Sequence, residues 1–456
     1  MKLATNNQYR NPEKLGVLLD LGRYSNSFDY IDGRNLGVDL GDIVLVKLKG
    51  TLSRGLVVTK SNILLNLNKD KNSGDFKYLS IEKIVQKSIF DYEYREWIEN
   101  LAKIYRVSVF KMFKTAMPPG WIGRQNNKSE SIRKQNWIMC LDKNLAKPQN
   151  LTSKQLLLFS KVKEKGGSWQ AELLKDGFTY SQIDTLVKGK LFSKIRKKKE
   201  NREFLNSFRR KSLPGEVPEL TVEQKKAYDL IEFMKPGEVL LLWGETGSGK
   251  TEIYLRIVRN ELKNGKSCLI LAPEIGLIPQ LIDRFCERFK DNIFEYHSSC
   301  SSKHRKLVWQ RISESNEPII IIGTRSAIFL PIRNLGLIIL DEEHDNSYKQ
   351  ETPMPCYDAR EVALDRACRN KSKLIFGSAT PSMSLWKKIY FEEKFKMIRM
   401  KKRISNTKIP EIRVVDMREE FKNGNKRILS NKLLSSLKEL RAKKEQAIIL
   451  IPRRGY

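Results

Sequence analysis

A series of short, almost entirely apolar segments limits the fold more than any other feature of this sequence. The segments read EVLLLW, SCLILA, PIIIIGT, LGLIILD and KLIFGSA, and helical or loop stretches separate them. Strands that are apolar on both faces must be covered on both faces, as in a parallel sheet between two layers of helices. We therefore predict an α/β domain with a parallel sheet over residues 214–400.

The rest of the chain has other patterns, so the predicted fold is multidomain. Short alternating runs such as DIVLVKL and RGLVVTK predict a small β-rich N-terminal domain over residues 1–115, which a helical stretch at 91–113 closes. Residues 116–150 have little periodicity and are predicted to be a linker. Three short helical stretches and a basic strand over 151–213 favour a winged-helix domain with a basic linker. A plain helical packing domain is the alternative.

The charge balance indicates a polyanionic partner. The chain has 85 Lys and Arg residues against 53 Asp and Glu residues, a net charge of +32 that attracts nucleic acid. A compositional preference for Lys, Asn and Ile is the alternative explanation. The sequence has no apolar run long enough to span a bilayer and no apolar signal segment after Met1. We therefore expect no membrane partner and a cytoplasmic location.

The cysteines do not indicate a metal site. The six cysteines include no C-x-x-C pair, and we find no ligand-spaced partner for them among the three histidines. A local zinc site is therefore not expected, and scattered free thiols are typical of a reducing compartment.

The stretch GETGSGKT matches the pattern G-x-x-x-x-G-K-[ST] between a predicted strand and a predicted helix. The glycines let backbone N–H groups turn toward phosphate oxygens at a helix N-terminus. Lys250 is predicted to reach the β- and γ-phosphates, and Thr251 to ligate Mg²⁺. Gln224, in LTVEQ ahead of this strand, is a candidate adenine contact by analogy. The predicted ATP-binding residues are Gly244, Glu245, Thr246, Gly247, Ser248, Gly249, Lys250, Thr251 and Gln224.

A pair of carboxylates follows another apolar strand. LGLIILDEEH places Asp341 and Glu342 at the carboxyl end of a strand, where ligands bind in open parallel sheets. We predict that Asp341 holds Mg²⁺ and that Glu342 acts as the catalytic base. The predicted catalytic residues are Lys250, Asp341, Glu342 and His344. The stretch FGSATP, residues 376–381, ends the next apolar strand and is predicted to sense the nucleotide state.

The series GETGSGKT, APEIGLIPQ, GTRSA, DEEH and GSATP resembles superfamily-two helicases. More narrowly, PEIGLIPQ, IIGTRSAIF and DEEHDNSYKQE are similar to the PriA family of bacterial primosomal replication-restart helicases, also called primosomal protein N′. The resemblance covers residues 215–456 strongly and 24–200 more loosely. It implies a RecA-like helicase lobe that uses ATP and Mg²⁺, unwinds DNA with 3′→5′ polarity, recognises stalled or abandoned forks and initiates primosome assembly. It also implies as partners forked and single-stranded DNA, 3′ ends, primosome proteins and single-stranded-DNA-binding protein.

The resemblance also implies DNA-contacting residues. APEIGLIPQ and GTRSA would face the DNA strand, and residues 345–361 correspond to an aromatic-rich loop whose tyrosines would stack on bases. Arginine and lysine side chains there would hold phosphates. The N-terminal domain resembles a 3′-end-binding module, in which Phe28 would stack on the terminal base and Asp29 would accept a hydrogen bond from the 3′-hydroxyl group. Alternatively, Phe28 and Tyr30 are core residues. The predicted DNA-binding residues are Phe28, Asp29, Gly41, Lys83, Arg325, Tyr348, Lys349, Tyr357 and Arg360.

The family has two helicase lobes, and we expect only the beginning of the second within residues 401–456. After a basic stretch, EIRVVDM is predicted to be a strand and NKLLSSLKELRAKK a helix. AIILIPRRGY is predicted to be the first strand of the second lobe, with Arg453 and Arg454 at its ligand edge. The family's zinc-binding cysteine pairs and its later arginine motif do not occur in this sequence.

These absences leave two hypotheses of different classes. The chain is a fragment or split product of an ATP-driven helicase, or it is a fork-structure-binding module without productive ATP turnover. A degenerate gene product is a third reading.

Overall fold

The computed structural model describes residues 13–20, 27–62, 78–88, 90–124, 135–140, 151–164, 166–189, 191–197, 217–289, 292–404 and 411–450. The chain forms two compact units, Met1–Lys402 and Arg403–Tyr456. Among the described residues, no helix combines the length and the apolar character that crossing a membrane requires.

The N-terminal domain is a sheet of short strands followed by two helices. The strands are β1 Glu13–Leu18, β2 Ser27–Ile31, β3 Ile43–Leu48, β4 Thr51–Asn62, β5 Leu79–Ser80, β6 Lys83–Gln86 and β7 Gly123–Arg124, and the helices are α1 Tyr92–Ile104 and α2 Val109–Ala116. The sheet order is β5-β2-β1-β4-β3-β6, with β7 against β4. Because β5 pairs with β2 and the next strand, β6, pairs with β3, this segment joins both edges and closes the sheet into a small barrel. The predicted β-rich N-terminal domain is confirmed.

A second, smaller sheet lies in the middle of the chain. It contains β8 Gln135–Cys140, β9 Ser168–Trp169 and β10 Phe192–Lys197, in the antiparallel order β10-β8-β9. The helices α3 Ser153–Glu164, α4 Gln170–Lys175 and α5 Tyr180–Lys188 lie between these strands in sequence. Phe159 stacks on Phe192 in the shared core, with ring centroids 5.9 Å apart.

This middle region corrects one prediction and leaves another open. The linker prediction is wrong for residues 135–140, which form a strand because β10, much later in the chain, supplies its hydrogen-bonding partner. Three helices and a following strand are present as expected, but the winged-helix assignment stays a prediction. The basic run at 198–212 lies outside the described residues.

The α/β domain has a seven-stranded, fully parallel sheet. Its strands are β11 Val239–Gly244, β12 Ser267–Leu271, β13 Ile293–Tyr296, β14 Ile320–Gly323, β15 Leu335–Leu340, β16 Lys373–Ser378 and β17 Phe395–Met400. Its helices are α6 Val222–Glu232, α7 Lys250–Lys263, α8 Ile278–Arg288, α9 Ser302–Glu314, α10 Ala359–Asn370 and α11 Met383–Phe391. The sheet order is β13-β14-β12-β15-β16-β11-β17.

The apolar segments of the sequence become the interior of this sheet. Every residue of β12, β14 and β15 is buried, as expected for strands covered by helices on both faces. The edge strands β13 and β17 are less uniformly buried and had no comparable apolar signal. The predicted parallel α/β fold is confirmed.

The N-terminal helices join the two larger domains. The hydroxyl group of Tyr94 in α1 donates to the carbonyl oxygen of Phe329, and Trp97 Nε1 donates to Asp365 over 2.7 Å. The side chains of α1 and α2 belong to the same apolar cluster as β12, β14 and β15. Burial of this shared core fixes the N-terminal domain on the α/β domain.

The second unit contains α12 Met417–Lys422 and α13 Asn431–Ala442. The predicted helix NKLLSSLKELRAKK is confirmed, but the predicted strand EIRVVDM is wrong: residues 411–416 form no strand, and Met417 begins a helix. Residues 447–450 of AIILIPRRGY are also not in a strand, and Arg453 and Arg454 lie outside the described residues. Ile448 and Leu450 are fully or almost fully exposed. A strand requires a hydrogen-bonding neighbour, and the described residues of this unit contain none.

Candidate functional site

Three of the predicted motifs meet at one edge of the parallel sheet. The P-loop, residues 244–251, follows β11, the DEEH motif, residues 341–344, follows β15, and FGSATP, residues 376–381, lies at the end of β16. The strands β15, β16 and β11 are direct neighbours and parallel. The three motifs therefore emerge side by side at the carboxyl edge, where α/β sheets bind ligands.

The P-loop has a backbone conformation that glycine makes possible. Gly247 and Gly249 have φ angles of +85° and +87°, in the left-handed region that disfavours a side chain. Helix α7 begins at Lys250, so the loop lies at a helix N-terminus whose first N–H groups have no intrahelical partner. A Cβ atom added to Gly247 would meet nothing within 4 Å. This open, N–H-rich loop fits the phosphate chain of a nucleotide.

Two polar side chains of the P-loop are buried and face this anion site. Lys250 is 7% exposed, its Nζ donates to the carbonyl oxygen of Gly244 over 2.8 Å, and it lies 3.8 Å from Glu342 Oε1. Ser248 Oγ is buried and has no hydrogen-bond partner among the described residues. A phosphate oxygen would satisfy both groups. The residues present therefore fit ATP.

The predicted metal residue is held by the helix that follows the P-loop. Tyr254, buried in α7, donates its hydroxyl hydrogen to Asp341 Oδ1 over 2.9 Å. Burial raises the pKa of Asp341, and the negative charge of Glu342 raises it further, against the hydrogen bond from Tyr254. Glu342 has a φ angle of +48°, which costs a non-glycine residue roughly 1 kcal/mol. Strain of this kind is typical of functional sites.

Hydrogen bonds connect the DEEH motif to FGSATP. His344 Nδ1 lies 2.9 Å from Ser378 Oγ, and the backbone N–H of Glu343 donates to the carbonyl oxygen of Gly377 over 3.0 Å. The buried carboxylate of Glu343 accepts hydrogen bonds from the N–H and the hydroxyl group of Ser382. These contacts join the two motifs physically. Sequence reasoning did not single out Glu343, although its place between Glu342 and His344 was a signal.

Gln224 is buried next to the P-loop. It is 2% exposed, its Oε1 accepts from the N–H of Thr221 over 2.9 Å, and its Nε2 donates to the carbonyl oxygen of Ser248 over 3.0 Å. Gln224 therefore supports the P-loop from the start of α6. Its contact with adenine stays a prediction.

A basic cavity of about 1340 Å³ is lined in part by the loop that follows the DEEH motif. Its walls include Pro273 to Gly276 of APEIGLIPQ, Thr324 to Ser326 of GTRSA, parts of the loop between Ser347 and Tyr357, and helix α2. The basic side chains that line it are Arg106, Lys111, Lys114, Arg305 and Arg325, against the acidic Asp20 and Glu274. The two motifs predicted to face DNA are thus brought to one positively charged cavity.

Sequence reasoning missed the contribution of α2. Lys111 and Lys114 are spaced i, i+3 and therefore share one face of this helix. Lys114 forms an ion pair with Asp20 over 2.9 Å. Only the packing of α1 and α2 on the α/β domain brings these lysines to the cavity.

The structure contradicts the base-stacking roles of the two tyrosines. Tyr348 is 0% exposed, and its hydroxyl group contacts the carbonyl oxygens of Leu271 at 2.8 Å and Asp341 at 2.6 Å. Tyr357 is 1% exposed and packs edge-on against Phe329, with ring centroids 4.9 Å apart. Buried rings without a free face cannot stack on bases, so both tyrosines hold the loop in place.

Of the three predicted phosphate contacts, Arg360 and Arg325 form hydrogen bonds within the protein and Lys349 is exposed. Arg360 forms a two-pronged ion pair with Asp358 and donates to the carbonyl oxygen of Glu343 over 3.0 Å, so its guanidinium group is held within the loop and its phosphate contact stays a prediction. Arg325 lines the cavity while Nη1 donates to the carbonyl oxygens of Ser347 and Lys349. Lys349 is exposed and stays a candidate DNA contact.

The predicted 3′-end residues lie on the N-terminal barrel. Asp29 is exposed on β2 and pairs with Lys14 over 2.8 Å, while Phe28 is half-buried against the barrel core. Lys83 is exposed at the start of β6, and Gly41 has a φ angle of +84°. No hydrogen bond or ion pair that the structure describes joins these four residues to one another. Tyr30 is buried, as the core alternative expected of it.

Three side chains of types that can ligate a metal lie close together near the end of β13. A ligand atom each from Glu295, His297 and Cys300 lies within 4.8 Å of the others. Burial opposes ionisation of Cys300, but the neighbouring imidazole rings outweigh it and lower its pKa to about 6. Contact with Cys300, and then with Glu295, raises the pKa of His297 to about 9. The signal was the spacing H-x-x-C, which a search for C-x-x-C pairs passes over.

Comparison with known protein families gives two matches on this chain. Residues 221–388 match the DEAD/DEAH box helicase model, and residues 16–118 match the PriA 3′DNA-binding domain (3′BD) model. The first match contains the P-loop, the DEEH motif and FGSATP, and the second contains the barrel with α1 and α2.

Curated relatives agree with both matches. The replication restart protein PriA of Synechocystis sp. is 37% identical over 402 residues, which cover 86% of this chain and 45% of the relative. The protein of that name from Bacillus subtilis is 42% identical over 240 residues, which cover 52% of this chain and 29% of the relative. The chain thus spans less than half the length of these two relatives.

Among solved structures, the Pyrococcus furiosus Hef helicase domain gives a TM-score of 0.29 at 20% identity, over 40% of this chain and 38% of that chain. That likeness is too distant to support an inference. The assignment rests instead on two domain matches that coincide with two structural domains, and on relatives that extend over most of the chain. This chain belongs to the PriA family of replication restart proteins and carries a DEAD/DEAH box helicase domain.

Proposed function

We propose that this chain is the DNA-binding and ATP-binding part of an ATP-dependent DNA helicase of replication restart. In this proposal the protein unwinds DNA with 3′→5′ polarity, recognises stalled or abandoned forks and initiates primosome assembly. One observation carries the proposal: residues 341–357 begin with the catalytic carboxylates and end in the wall of the basic cavity. ATP chemistry and DNA contact therefore share one continuous segment.

The contacts within this segment support coupling between the two sites. The hydroxyl group of Tyr348 lies 2.6 Å from the carbonyl oxygen of Asp341, and the neighbouring carbonyl oxygen of Ser347 accepts from Arg325 over 3.0 Å. Arg325 and Ser347 line the cavity. A DNA strand that displaced Arg325 would act, through Ser347 and Tyr348, on the backbone of Asp341.

Each residue of the nucleotide site has a proposed role. When a nucleotide binds, the ammonium group of Lys250 exchanges its hydrogen bond to the carbonyl oxygen of Gly244 for contacts with the β- and γ-phosphates. Glu342 orients or deprotonates the attacking water. His344 passes a change at this site to Ser378 through their hydrogen bond. Mg²⁺, when held by Thr251 and Asp341, neutralises the charge of the phosphates.

The barrel supplies the second DNA contact. Asp29, whose side chain is 46% exposed, can exchange its ion pair with Lys14 for a hydrogen bond from a 3′-hydroxyl group. Phe28, next to it, is placed to stack on the terminal base, with Gly41 and Lys83 as further contacts. The match of residues 16–118 to a 3′DNA-binding domain supports this role. We also propose primosome proteins and single-stranded-DNA-binding protein as partners, and the cytoplasm as the location.

DNA-stimulated ATP hydrolysis tests the motor function. Forked DNA is expected to raise ATP turnover, and Lys250→Ala is expected to reduce it by about 100-fold or more, since a group that stabilises transition-state charge is lost. Lys263→Ala, an exposed lysine in the last turn of the same helix, is the matched control. Fork binding without any turnover would favour the binding-module hypothesis. The proposal would be refuted if the wild-type chain bound neither ATP nor DNA.

Forks that differ only at the 3′ end test the barrel. A fork with a 3′-hydroxyl group is expected to bind more tightly than one with a 3′-phosphate, and Asp29→Ala is expected to remove the difference. Lys14→Ala is the control, because it removes the ion-pair partner of Asp29 and leaves the acceptor in place. Equal affinity of the wild-type chain for both forks would exclude the role of Asp29.

A further inference from the structure

The strongest chemical cluster outside the nucleotide site lies between β13 and α9. Glu295 is near the end of β13, His297 and Cys300 are in the following turn, and α9 begins at Ser302. One ligand atom from each of these three side chains lies within 4.8 Å of the other two. A carboxylate, an imidazole and a thiol are thus collected by a short stretch of chain.

The orientation of His297 is the second observation. This side chain is 6% exposed, and its Nε2 lies 2.5 Å from Glu295 Oε1. Its other ring nitrogen, Nδ1, is buried and has no hydrogen-bond partner among the described residues. A histidine held by a carboxylate on one ring nitrogen, with the other nitrogen left without a hydrogen bond, is the usual arrangement of a metal ligand. The buried nitrogen therefore points to a missing ligand.

We propose that His297, through Nδ1, and Cys300 bind one Zn²⁺ ion, while Glu295 holds the other ring nitrogen of His297. Zinc accepts sulfur, nitrogen and oxygen ligands together, and a thiolate with an imidazole selects it over Mg²⁺ and Ca²⁺. Cys300 is half-buried and forms no disulfide. His304, in the first turn of α9, closes the other side of the cluster, with Nε2 3.1 Å from the backbone oxygen of Glu295.

The proposed zinc site lies next to the wall of the basic cavity. Ser298, between His297 and Cys300, lines the basic cavity, and so does Arg305 of α9. A bound ion fixes the turn between β13 and α9 and thereby fixes the position of Ser298 in the cavity wall. The zinc site stands independently of the proposed helicase function, because metal binding requires neither ATP nor DNA.

Cobalt spectroscopy on the full chain tests the site. The chain is freed of metal with a chelator and titrated with Co²⁺, which is expected to bind one per chain and to give a thiolate-to-cobalt charge-transfer band that added Zn²⁺ abolishes. Cys300→Ser is expected to remove this band. Cys368→Ser, an exposed cysteine at the end of α10, is the matched control and is expected to leave it unchanged.

A second variant separates metal loss from misfolding. His297→Gln is expected to lower Co²⁺ affinity while the thiolate band remains at saturation, and far-ultraviolet circular dichroism checks that each variant is folded. Zn²⁺ is expected to raise the melting temperature of the wild-type chain but not that of Cys300→Ser. Absence of a charge-transfer band in the folded wild-type chain, or a band that Cys368→Ser removes and Cys300→Ser does not, would overturn the proposal.

Discussion

Arg360 gives the sharpest test of how the loop after the DEEH motif works. Its Nε and Nη2 donate to the two carboxylate oxygens of Asp358 over 2.9 and 2.7 Å, and Nη1 donates to the carbonyl oxygen of Glu343 over 3.0 Å. The side chains of Arg360 and Asp358 are 17% and 23% exposed. We infer that Arg360 anchors the loop to the catalytic motif and does not contact DNA phosphates.

The expected magnitude follows from these contacts. Removal of one partner of a buried, hydrogen-bonded ion pair costs about 3–5 kcal/mol. Because the pair is partly exposed, Arg360→Ala is expected to lower the free energy of unfolding by about 3 kcal/mol, the lower end of this range. With a urea m-value of about 2 kcal/mol/M, the unfolding midpoint of the α/β domain falls by roughly 1.5 M. Arg369→Ala, on the same helix and paired with Asp365 at the surface, is expected to cost less than about 1 kcal/mol.

Urea titration followed by tryptophan fluorescence measures the stability change, and a salt titration of DNA binding measures the contact. Arg360→Ala is expected to leave the slope of log affinity against log salt unchanged, whereas Lys349→Ala is expected to reduce it by about 1. The reasoning is refuted if Arg360→Ala keeps the wild-type midpoint and reduces the slope as Lys349→Ala does. That result would return Arg360 to the role predicted from the sequence.

Other changes have equally definite outcomes. Asp341→Asn is expected to raise the melting temperature of the nucleotide-free chain while it abolishes ATP hydrolysis, since burial and a neighbouring negative charge disfavour this carboxylate. Differential scanning fluorimetry and an ATPase assay measure both effects, and a lower melting temperature would contradict the reasoning. Gly377→Ala is expected to cost about 1–3 kcal/mol and to slow hydrolysis, because the new Cβ would lie 1.7 Å from the hydroxyl group of Tyr254. An unchanged unfolding midpoint in urea would show that α7 moves to accommodate the new methyl group at no cost in stability. Arg366→Met is expected to cost about 3 kcal/mol, because this buried guanidinium satisfies two backbone carbonyl groups and covers the ring of Trp97. An unchanged urea midpoint would show that the N-terminal domain does not depend on it.

Some local structure was readable from the sequence because the cause is local. The glycines of the P-loop, two of which have left-handed φ angles, belong to a motif that depends on residues a few positions apart. By contrast, β8 had no distinctive pattern and is a strand because β10 pairs with it. The predicted strand at 411–416 failed for the opposite reason, since the described part of its unit offers no partner strand.

The roles of side chains in the loop after the DEEH motif also depend on partners elsewhere in the chain. Tyr348, Tyr357 and Arg360 are residue types that bind nucleic acid, and the sequence placed them in a loop next to the carboxylates. Packing against Phe329 and contacts with backbone carbonyl groups decide instead that they are buried or paired. Burial depends on what the rest of the chain brings to a side chain, so composition alone could not separate these residues from the exposed Lys349.

The sequence by itself determined the chemistry of this protein: a phosphate loop, a carboxylate pair after an apolar strand, a strongly basic composition and a parallel sheet. These follow from residue type and from spacing along the chain. The tertiary structure decided which groups meet. The strand order β15-β16-β11 puts three motifs at one edge, and packing of α1 and α2 adds lysines to the cavity wall. Pairing and packing join residues far apart in sequence, and no local pattern records them.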